Sequence, residues 1–225
     1  MDLNYKIYGK GERTIVLVHY FGGNGESWQW VVKKLCNKFS IVVITLPGFG
    51  NTKPLENQSI FSLANYINNC IEELSLDNYL LCGHSMGGKL ILYANQIAVN
   101  NKAKGLVLIA PSPPTIEKMT EEEKQTMLSI SDIEAATEAA KDATFKNLTG
   151  KKLSLAVESQ LQVDRETRKW WLETGMSNDI SERIPGLHIP TFVICATEDT
   201  VIPMDEIYNS VLPFLYKPRL IQLSR

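Results

Sequence analysis

Five short apolar runs constrain the fold of this chain more than any other feature of its sequence. They are rich in β-branched residues and hardly alternate with polar ones: 14–19, 41–46, 79–82, 105–110 and Thr191–Ala196. Such runs are typical of strands that are buried on both faces of a parallel sheet. The sequence therefore predicts an α/β protein with a mostly parallel sheet.

Helix-like segments separate these runs. Residues 27–35, 62–74 and 86–100 space their apolar side chains three and four positions apart, as in helices with one buried face. Alternating strands and helices form right-handed crossover units, which cover a sheet with helices on both faces. At the two ends of the chain, 3–8 is predicted to be a leading strand in a hairpin with the next one, and 218–225 the last strand.

The alternation stops after Pro111. Residues 116–184 contain no convincing strand but four helix-prone stretches, so they are predicted to be a helical insertion between two strands of a core formed by 1–115 and 185–225. The apolar underside of the insertion is expected to come from four large side chains, namely Met127, Trp170, Trp171 and Met176.

Composition narrows the partners of the protein. A formal charge of -2 in 225 residues gives no reason to expect nucleic acid or an anionic membrane. No apolar stretch approaches the ~18 residues of a membrane span, and residues 1–6 lack the apolar segment of a secretory signal. The four cysteines form no metal-like or disulfide-like pattern. We expect a cytoplasmic protein without metal or cofactor that acts on a small molecule.

The segment Gly83-His84-Ser85-Met86-Gly87 matches the pattern G-x-S-x-G between a predicted strand and a predicted helix. In that context the serine lies on a sharp turn, where Gly83 and Gly87 remove side chains that would collide. Its hydroxyl then lies beside a helix N-terminus, which favours negative charge. Ser85 is therefore the candidate nucleophile; the alternative is an ordinary glycine-rich turn with a capping serine.

With this elbow the chain resembles the α/β-hydrolase superfamily, in particular its serine esterase and lipase-like members with a helical cap. The stretches VLVHYFGG at 16–23 and LPGFG at 46–50 match the family pattern, except that the family usually has glycine at Tyr20. The resemblance implies that the amides of Phe21 and Met86 stabilise an oxyanion. It also implies that His19 and Gly22 order the oxyanion loop, and that 116–184 is the cap.

The catalytic acid implied by the resemblance is Asp199, in the stretch CATEDTVIP at 195–203. The acid accepts a hydrogen bond from the catalytic imidazole and stabilises the imidazolium. Glu198 is the neighbouring alternative, and a third interpretation is that Asp199 only caps the next helix.

The catalytic histidine should follow the acid in a family whose order is serine, acid, histidine, but none follows Asp199 in this sequence. His84 should point away from the serine hydroxyl. His188 precedes a six-residue strand, which separates it from the reactive edge by ~20 Å. Because the resemblance assigns His19 to the oxyanion loop, we expect the base on the loop after the last strand, beyond Arg225. A natural truncation and a loss of catalysis are the alternatives.

These residues lead to two functional hypotheses. The first is a serine hydrolase that cleaves a small ester or related acyl compound through an acyl-serine intermediate. Reactions on thioesters or C–C bonds, lyase activity and perhydrolysis stay open, because one triad serves them all. The second is a non-catalytic small-molecule-binding or interaction protein on the same scaffold. The oligomeric state is not predicted.

Overall fold

A computed structural model describes residues 2–224 of the chain. Within them, seven strands form one sheet in the order β1-β3-β2-β4-β5-β6-β7, in which only β1 is antiparallel to its neighbour. The predicted α/β class with a mostly parallel sheet is confirmed. The strands are β1 Tyr5–Tyr8, β2 Thr14–Val18, β3 Ser40–Ile44, β4 Tyr79–His84, β5 Ala103–Ile109, β6 Thr191–Ala196 and β7 Arg219–Leu223.

The predicted hairpin of the first two strands is wrong. β1 pairs with β3, where Tyr5 lies opposite Ile44, while both edges of β2 are occupied by β3 and β4. The turn after β1 explains this choice. A Cβ on Gly9, whose φ is +73°, would lie 2.3 Å from the carbonyl oxygens of Cys36 and Phe39. The turn therefore packs on the segment that leads into β3. This packing places β1 beside β3, with which it pairs.

Helices cover both faces of the sheet, as predicted. Successive residues of β2 alternate between two apolar clusters, because neighbouring side chains of a strand point to opposite faces. Val16 and Val18 join the larger cluster, which includes α2 and α3, whereas Leu17 joins a smaller cluster with Trp28 and Val32 of the α1 side. These helices are α1 Gln29–Leu35, α2 Ile60–Glu73 and α3 Met86–Ile97.

Four α-helices lie between β5 and β6, and no strand occurs among the described residues that separate those two strands. Trp171 and Met176 are buried in the main cluster, with Met127 and Trp170 packed against it, as predicted. The helices are α4 Glu121–Leu128, α5 Ile133–Asp142, α6 Gly150–Leu161 and α7 Arg165–Trp170, which continues into a π-helical turn at Trp171–Gly175.

After β6 the chain forms α8, Met204–Glu206, with a π-helical turn at Ile207–Val211, and then enters β7. Among residues 2–224, no helix combines the length and the apolar character that a membrane crossing needs. The carboxyl ends of the parallel strands β2, β4, β5 and β6 meet at one edge of the sheet, which is where reactive groups gather in folds of this kind.

Candidate active site

Ser85 lies on a strained turn between β4 and α3. Its φ of 50° and ψ of -118° are unusual for a residue with a side chain, and such strain concentrates at functional sites. Hydrogen bonds hold the turn on both sides. The Ser85 amide donates to the Ile109 carbonyl of β5 over 3.0 Å, and the Gly88 amide donates to the Ser85 carbonyl over 2.8 Å.

Both glycines of the turn are required by close backbone contacts. A Cβ on Gly83 would lie 2.3 Å from the Gly87 carbonyl oxygen. A Cβ on Gly87 would lie 2.5 Å from the Val18 carbonyl oxygen and 2.6 Å from that of His19. The serine turn therefore packs directly on the end of β2, as the G-x-S-x-G pattern requires.

The N-terminus of α3 begins immediately after Ser85. Amides in the first turn of a helix lack partners within the helix, and the Met86 amide is the first of them. The amides of Gly88 and Lys89 instead point back to the Ser85 carbonyl. The Met86 amide thus belongs to the positive end of the α3 dipole, next to the Ser85 side chain, where it can stabilise developing negative charge.

His19 is fully buried at the end of β2, and both of its ring nitrogens are engaged. Nδ1 donates to the Tyr20 carbonyl over 2.9 Å, and Nε2 accepts from the Leu46 amide over 3.1 Å. These bonds require the neutral ring, and burial lowers the pKa of His19 to about 4. His19 therefore joins the loop after β2 to the segment after β3 and has no free nitrogen for proton transfer.

The loop at 19–23 contacts the helices between β5 and β6. The Phe21 ring stacks on Trp171 with centroids 6.1 Å apart, and it meets Phe49 edge-on at 6.2 Å. At Gly22, whose φ is +83°, the side chain of Gln160 occupies the position that a Cβ would take. This contact accounts for the glycine and couples the loop to α6.

Tyr20, where the family usually has glycine, directs its ring away from this contact. It lies 5.0 Å from the His84 ring and is hydrogen-bonded to Ser27. The Gly23 amide donates to the Tyr20 carbonyl over 3.0 Å. The tyrosine is thus accommodated beside His84, and the turn through Phe21 and Gly22 is closed by a backbone hydrogen bond.

Asp199 follows β6 at the same edge of the sheet as Ser85, two strands away. Its Oδ1 accepts from the amides of Val201 and Ile202, each over 2.9 Å, so it does cap its own loop. Neither of these two hydrogen bonds uses the second carboxylate oxygen, Oδ2. The charge of Asp199 opposes the burial that lowers the pKa of His84 to about 4. The carboxylate therefore acts electrostatically on the residue that precedes Ser85.

The other two histidines also lie in settings unrelated to proton transfer from Ser85. The His84 ring packs between Tyr20 and Trp28, with centroids 5.0 and 6.5 Å away. His188 is exposed just before β6, with its ring 4.3 Å from that of Tyr216. It therefore lies at the amino edge of the parallel strands, opposite to the edge that carries Ser85.

Three polar residues in this region were not predicted from the sequence, namely Ser112, Glu117 and Lys89. Ser112, after β5, is fully buried, and its Oγ lies 3.5 Å from the Ser85 Oγ. Burial raises the pKa of the nearby Glu117, and Ser112 acts on that pKa in the opposite direction. Lys89 is fully buried, and its Nζ donates to the carbonyls of Thr115 and Met176. A lysine four positions after the serine, in the apolar first part of α3, was the one available signal.

Comparisons with known proteins identify the family of the chain. A family described as the alpha/beta hydrolase fold matches residues 13–132, which is 120 of the 225 residues. A pimeloyl-[acyl-carrier protein] methyl ester esterase of Pseudoalteromonas atlantica is 24% identical over 216 residues, covering 90% of this chain and 81% of its own length. The esterase of that name from Legionella pneumophila is 33% identical over 109 residues, which is 48% of this chain and 41% of that protein.

Solved structures agree in fold. The esterase EaEST from Exiguobacterium antarcticum superposes with a TM-score of 0.85 at 15% identity, over 98% of this chain and 86% of that one. At this identity the likeness extends to the fold alone.

Proposed function

The chain belongs to the alpha/beta hydrolase family, and we propose that it is a serine hydrolase that cleaves a small ester or related acyl compound. The observation that carries this proposal is Ser85 itself. Its backbone is held at φ 50° between β4 and the N-terminus of α3, and its hydroxyl oxygen lies 3.5 Å from that of Ser112, which follows β5. A strained serine beside a helix N-terminus supports nucleophilic attack followed by an acyl-serine intermediate.

Each role in the proposed mechanism has a candidate. Ser85 attacks the acyl carbonyl, and the amides of Phe21 and Met86 stabilise the oxyanion. Asp199 orients the imidazole of a histidine on the loop after β7. The Thr197 amide donates to the Leu223 carbonyl over 3.0 Å, so the end of β7 lies beside the loop that carries the acid. This proximity supports a base on the loop that follows β7.

We further propose that 116–184 is a cap over Ser85 and that the substrate is a small molecule with an apolar acyl group. The stacking of Phe21 on Trp171 supports this, since it brings an aromatic surface of the helical segment to the oxyanion loop. Relatives named as methyl ester esterases support an ester as substrate. The four unpaired cysteines support a reducing compartment, the cytoplasm.

The test is covalent labelling with a fluorophosphonate, followed by the intact mass and by hydrolysis of p-nitrophenyl acetate. The protein is expressed with whatever residues follow Arg225 in its reading frame. We expect one adduct per chain, located at Ser85, and the loss of adduct and hydrolysis in Ser85→Ala. Ser129→Ala, at an exposed serine just after α4, is the matched control and should label normally. Absence of label from the folded wild type would contradict the proposal.

A second candidate is a binding or interaction protein that retains the scaffold without turnover. It is favoured by the histidines, since His19, His84 and His188 are all engaged or located away from Ser85. The same experiment separates the two candidates. A non-catalytic protein would bind small esters, detected by calorimetry, but would neither form the adduct nor release p-nitrophenol.

A further inference from the structure

The end of α6 contacts the loop that carries a proposed oxyanion donor. Gln160, one residue before the end of this helix, is buried, and its carboxamide lies against Gly22. A Cβ on Gly22 would lie 2.3 Å from the Nε2 and 2.7 Å from the Oε1 of Gln160. Gly22 has a φ of +83° and directly follows Phe21, whose amide is the proposed donor. The carboxamide therefore fills the space into which this turn of the loop could otherwise relax.

Arg168 on α7 fixes the Gln160 side chain. Its guanidinium donates to the side-chain Oε1 of Gln160 over 3.3 Å and to the backbone carbonyl of the same residue. It also donates to the Met127 carbonyl over 3.3 Å. A guanidinium can only donate hydrogen bonds, so the Gln160 oxygen faces Arg168 and its amide nitrogen is left beside Gly22. Arg168 thus determines which end of the carboxamide meets the loop.

The environment of Arg168 is unusual for a charged side chain. The residue is 4% exposed, and within residues 2–224 its guanidinium makes no ion pair. Burial lowers its pKa to about 10, so the group stays protonated at neutral pH. A buried charge that is bonded to neutral oxygens is costly. Because two of its three acceptors belong to Gln160, the position of that residue is what the buried charge maintains.

Other bonds dock the turn between α6 and α7 on the edge of the sheet. The Asp164 amide donates to the Gly48 carbonyl over 2.8 Å. The Asn24 Nδ2 donates to the Gln162 Oε1 over 3.1 Å. Because neither bond involves Gln160, the turn should stay docked when that side chain is changed.

We propose that Gln160, oriented by Arg168, is a positioning residue that holds the oxyanion loop in its active conformation. This inference rests on the proposed function, since it concerns the Phe21 amide as an oxyanion donor. Neither side chain takes or gives a proton, and the base stays the histidine proposed for the loop after β7. An oxyanion donor is effective when it is aimed before the charge develops. A misplacement of about 1 Å can lower the rate by about 100-fold.

The experiment measures kcat and KM for p-nitrophenyl acetate in wild type, Gln160→Ala and Gln160→Met. Methionine keeps the length of the side chain, but its sulfur accepts from Arg168 only weakly. We expect kcat to fall by between about 10-fold and 100-fold in both variants, with KM nearly unchanged, because the oxyanion forms only in the transition state. Thermal denaturation verifies the fold, and if Gln160→Ala does not fold, Gln160→Met alone is the test.

Gln162→Ala is the matched control. It truncates the same type of side chain at the same end of α6, but that side chain bonds to Asn24 and not to Gly22. It should keep the kcat of the wild type. A general loosening of the helical segment would instead lower kcat and raise KM in the Gln160 and Gln162 variants alike, and that result would overturn the proposal.

Arg168→Met tests whether Arg168 acts through Gln160. Alone it should lower kcat by a factor similar to that of Gln160→Met. In the Gln160→Met background it should add little, because residues that act as one unit have non-additive effects. Losses that multiply in the double variant would show that the two side chains act separately, which contradicts the proposal.

A stability measurement tests the contact without any activity. Gly22→Ala introduces a Cβ that would collide with Gln160. It should therefore lower the melting temperature more in the wild-type background than in Gln160→Ala or Gln160→Gly, where the space is free. Equal losses in all backgrounds overturn the proposal, as does an active wild type whose kcat is kept in the Gln160 variants. If the wild type itself does not hydrolyse the ester, it is the proposed function that fails, which separates the two failures.

Discussion

Replacing His19 by glutamine is expected to flatten the dependence of protein stability on pH between about pH 6.5 and pH 4. In the folded protein the His19 Nε2 accepts a hydrogen bond from the Leu46 amide, which a protonated ring cannot do. Burial lowers the pKa of His19 from 6.5 to about 4. The unfolded chain therefore binds a proton at a higher pH than the folded protein does. The contribution of His19 to the free energy of unfolding is fully present above pH 6.5 and is lost as the pH falls towards 4.

The size of this effect follows from the difference in pKa. The values 6.5 and about 4 differ by about 2.5 units, and each unit corresponds to about 1.36 kcal/mol. His19 should thus contribute about 3 kcal/mol of pH-dependent stability, a large share of the ~5–15 kcal/mol of an ordinary domain. The pKa of His84 is lowered over the same interval, so the wild type should lose more than this amount in total.

The assay is urea unfolding at a series of pH values from 7.5 to 4, for wild type and for His19→Gln. A glutamine can still accept from the Leu46 amide but does not titrate, so the difference between the two curves isolates the His19 ring. His188→Gln, an exposed histidine next to Tyr216, is the matched control and should follow the wild type. Parallel curves for wild type and His19→Gln would refute this account of His19.

Three further substitutions test the backbone contacts of two glycines and the cap of α4. Gly87→Ala should destabilise the fold by about 3 kcal/mol or more in thermal or urea unfolding, because its Cβ would meet the Val18 and His19 carbonyl oxygens at 2.5 and 2.6 Å. Gly150→Ala, with φ +53° and open space around it, should lose only about 1 kcal/mol. Thr120→Ala removes the capping box with Glu123 at the start of α4 and should cost about 1 kcal/mol. It should also raise the lowered pKa of Glu123 only part of the way in an NMR titration, because the backbone amide of residue 120, the larger cause of the lowering, remains.

The strands were predictable from sequence because a strand that is buried on both faces is an uninterrupted run of apolar residues. The run Thr191–Ala196 is a strand over the same six residues in the structure, and the run at 105–110 overlaps β5. The pairing of one strand with another has no comparable local sequence pattern. The short link through Gly9 favoured a hairpin with β2, but β1 reaches β3 because the link packs on Cys36 and Phe39. Packing between segments distant in sequence decided that pairing.

The residues of the site also differ in whether a local sequence motif predicts them. Ser85 and its two glycines belong to one local motif, so their arrangement could be predicted from five consecutive residues. Ser112 comes within 3.5 Å of the Ser85 hydroxyl only because β5, which precedes it in the chain, pairs with β4. Nothing in the sequence around Ser112 indicates a hydroxyl aimed at Ser85, and it becomes visible only in three dimensions.

Destabilising features accumulate around Ser85, and their proximity argues for a function at this position. A left-handed φ on a residue with a side chain costs of order 1–3 kcal/mol. A buried ammonium such as that of Lys89, bonded to neutral carbonyls, and a buried carboxyl oxygen of Glu117 without a partner add further penalties. A purely structural turn would be more stable with glycine at 85 and apolar side chains at 89 and 117. Their joint presence around the Ser85 turn therefore supports a functional site at this position.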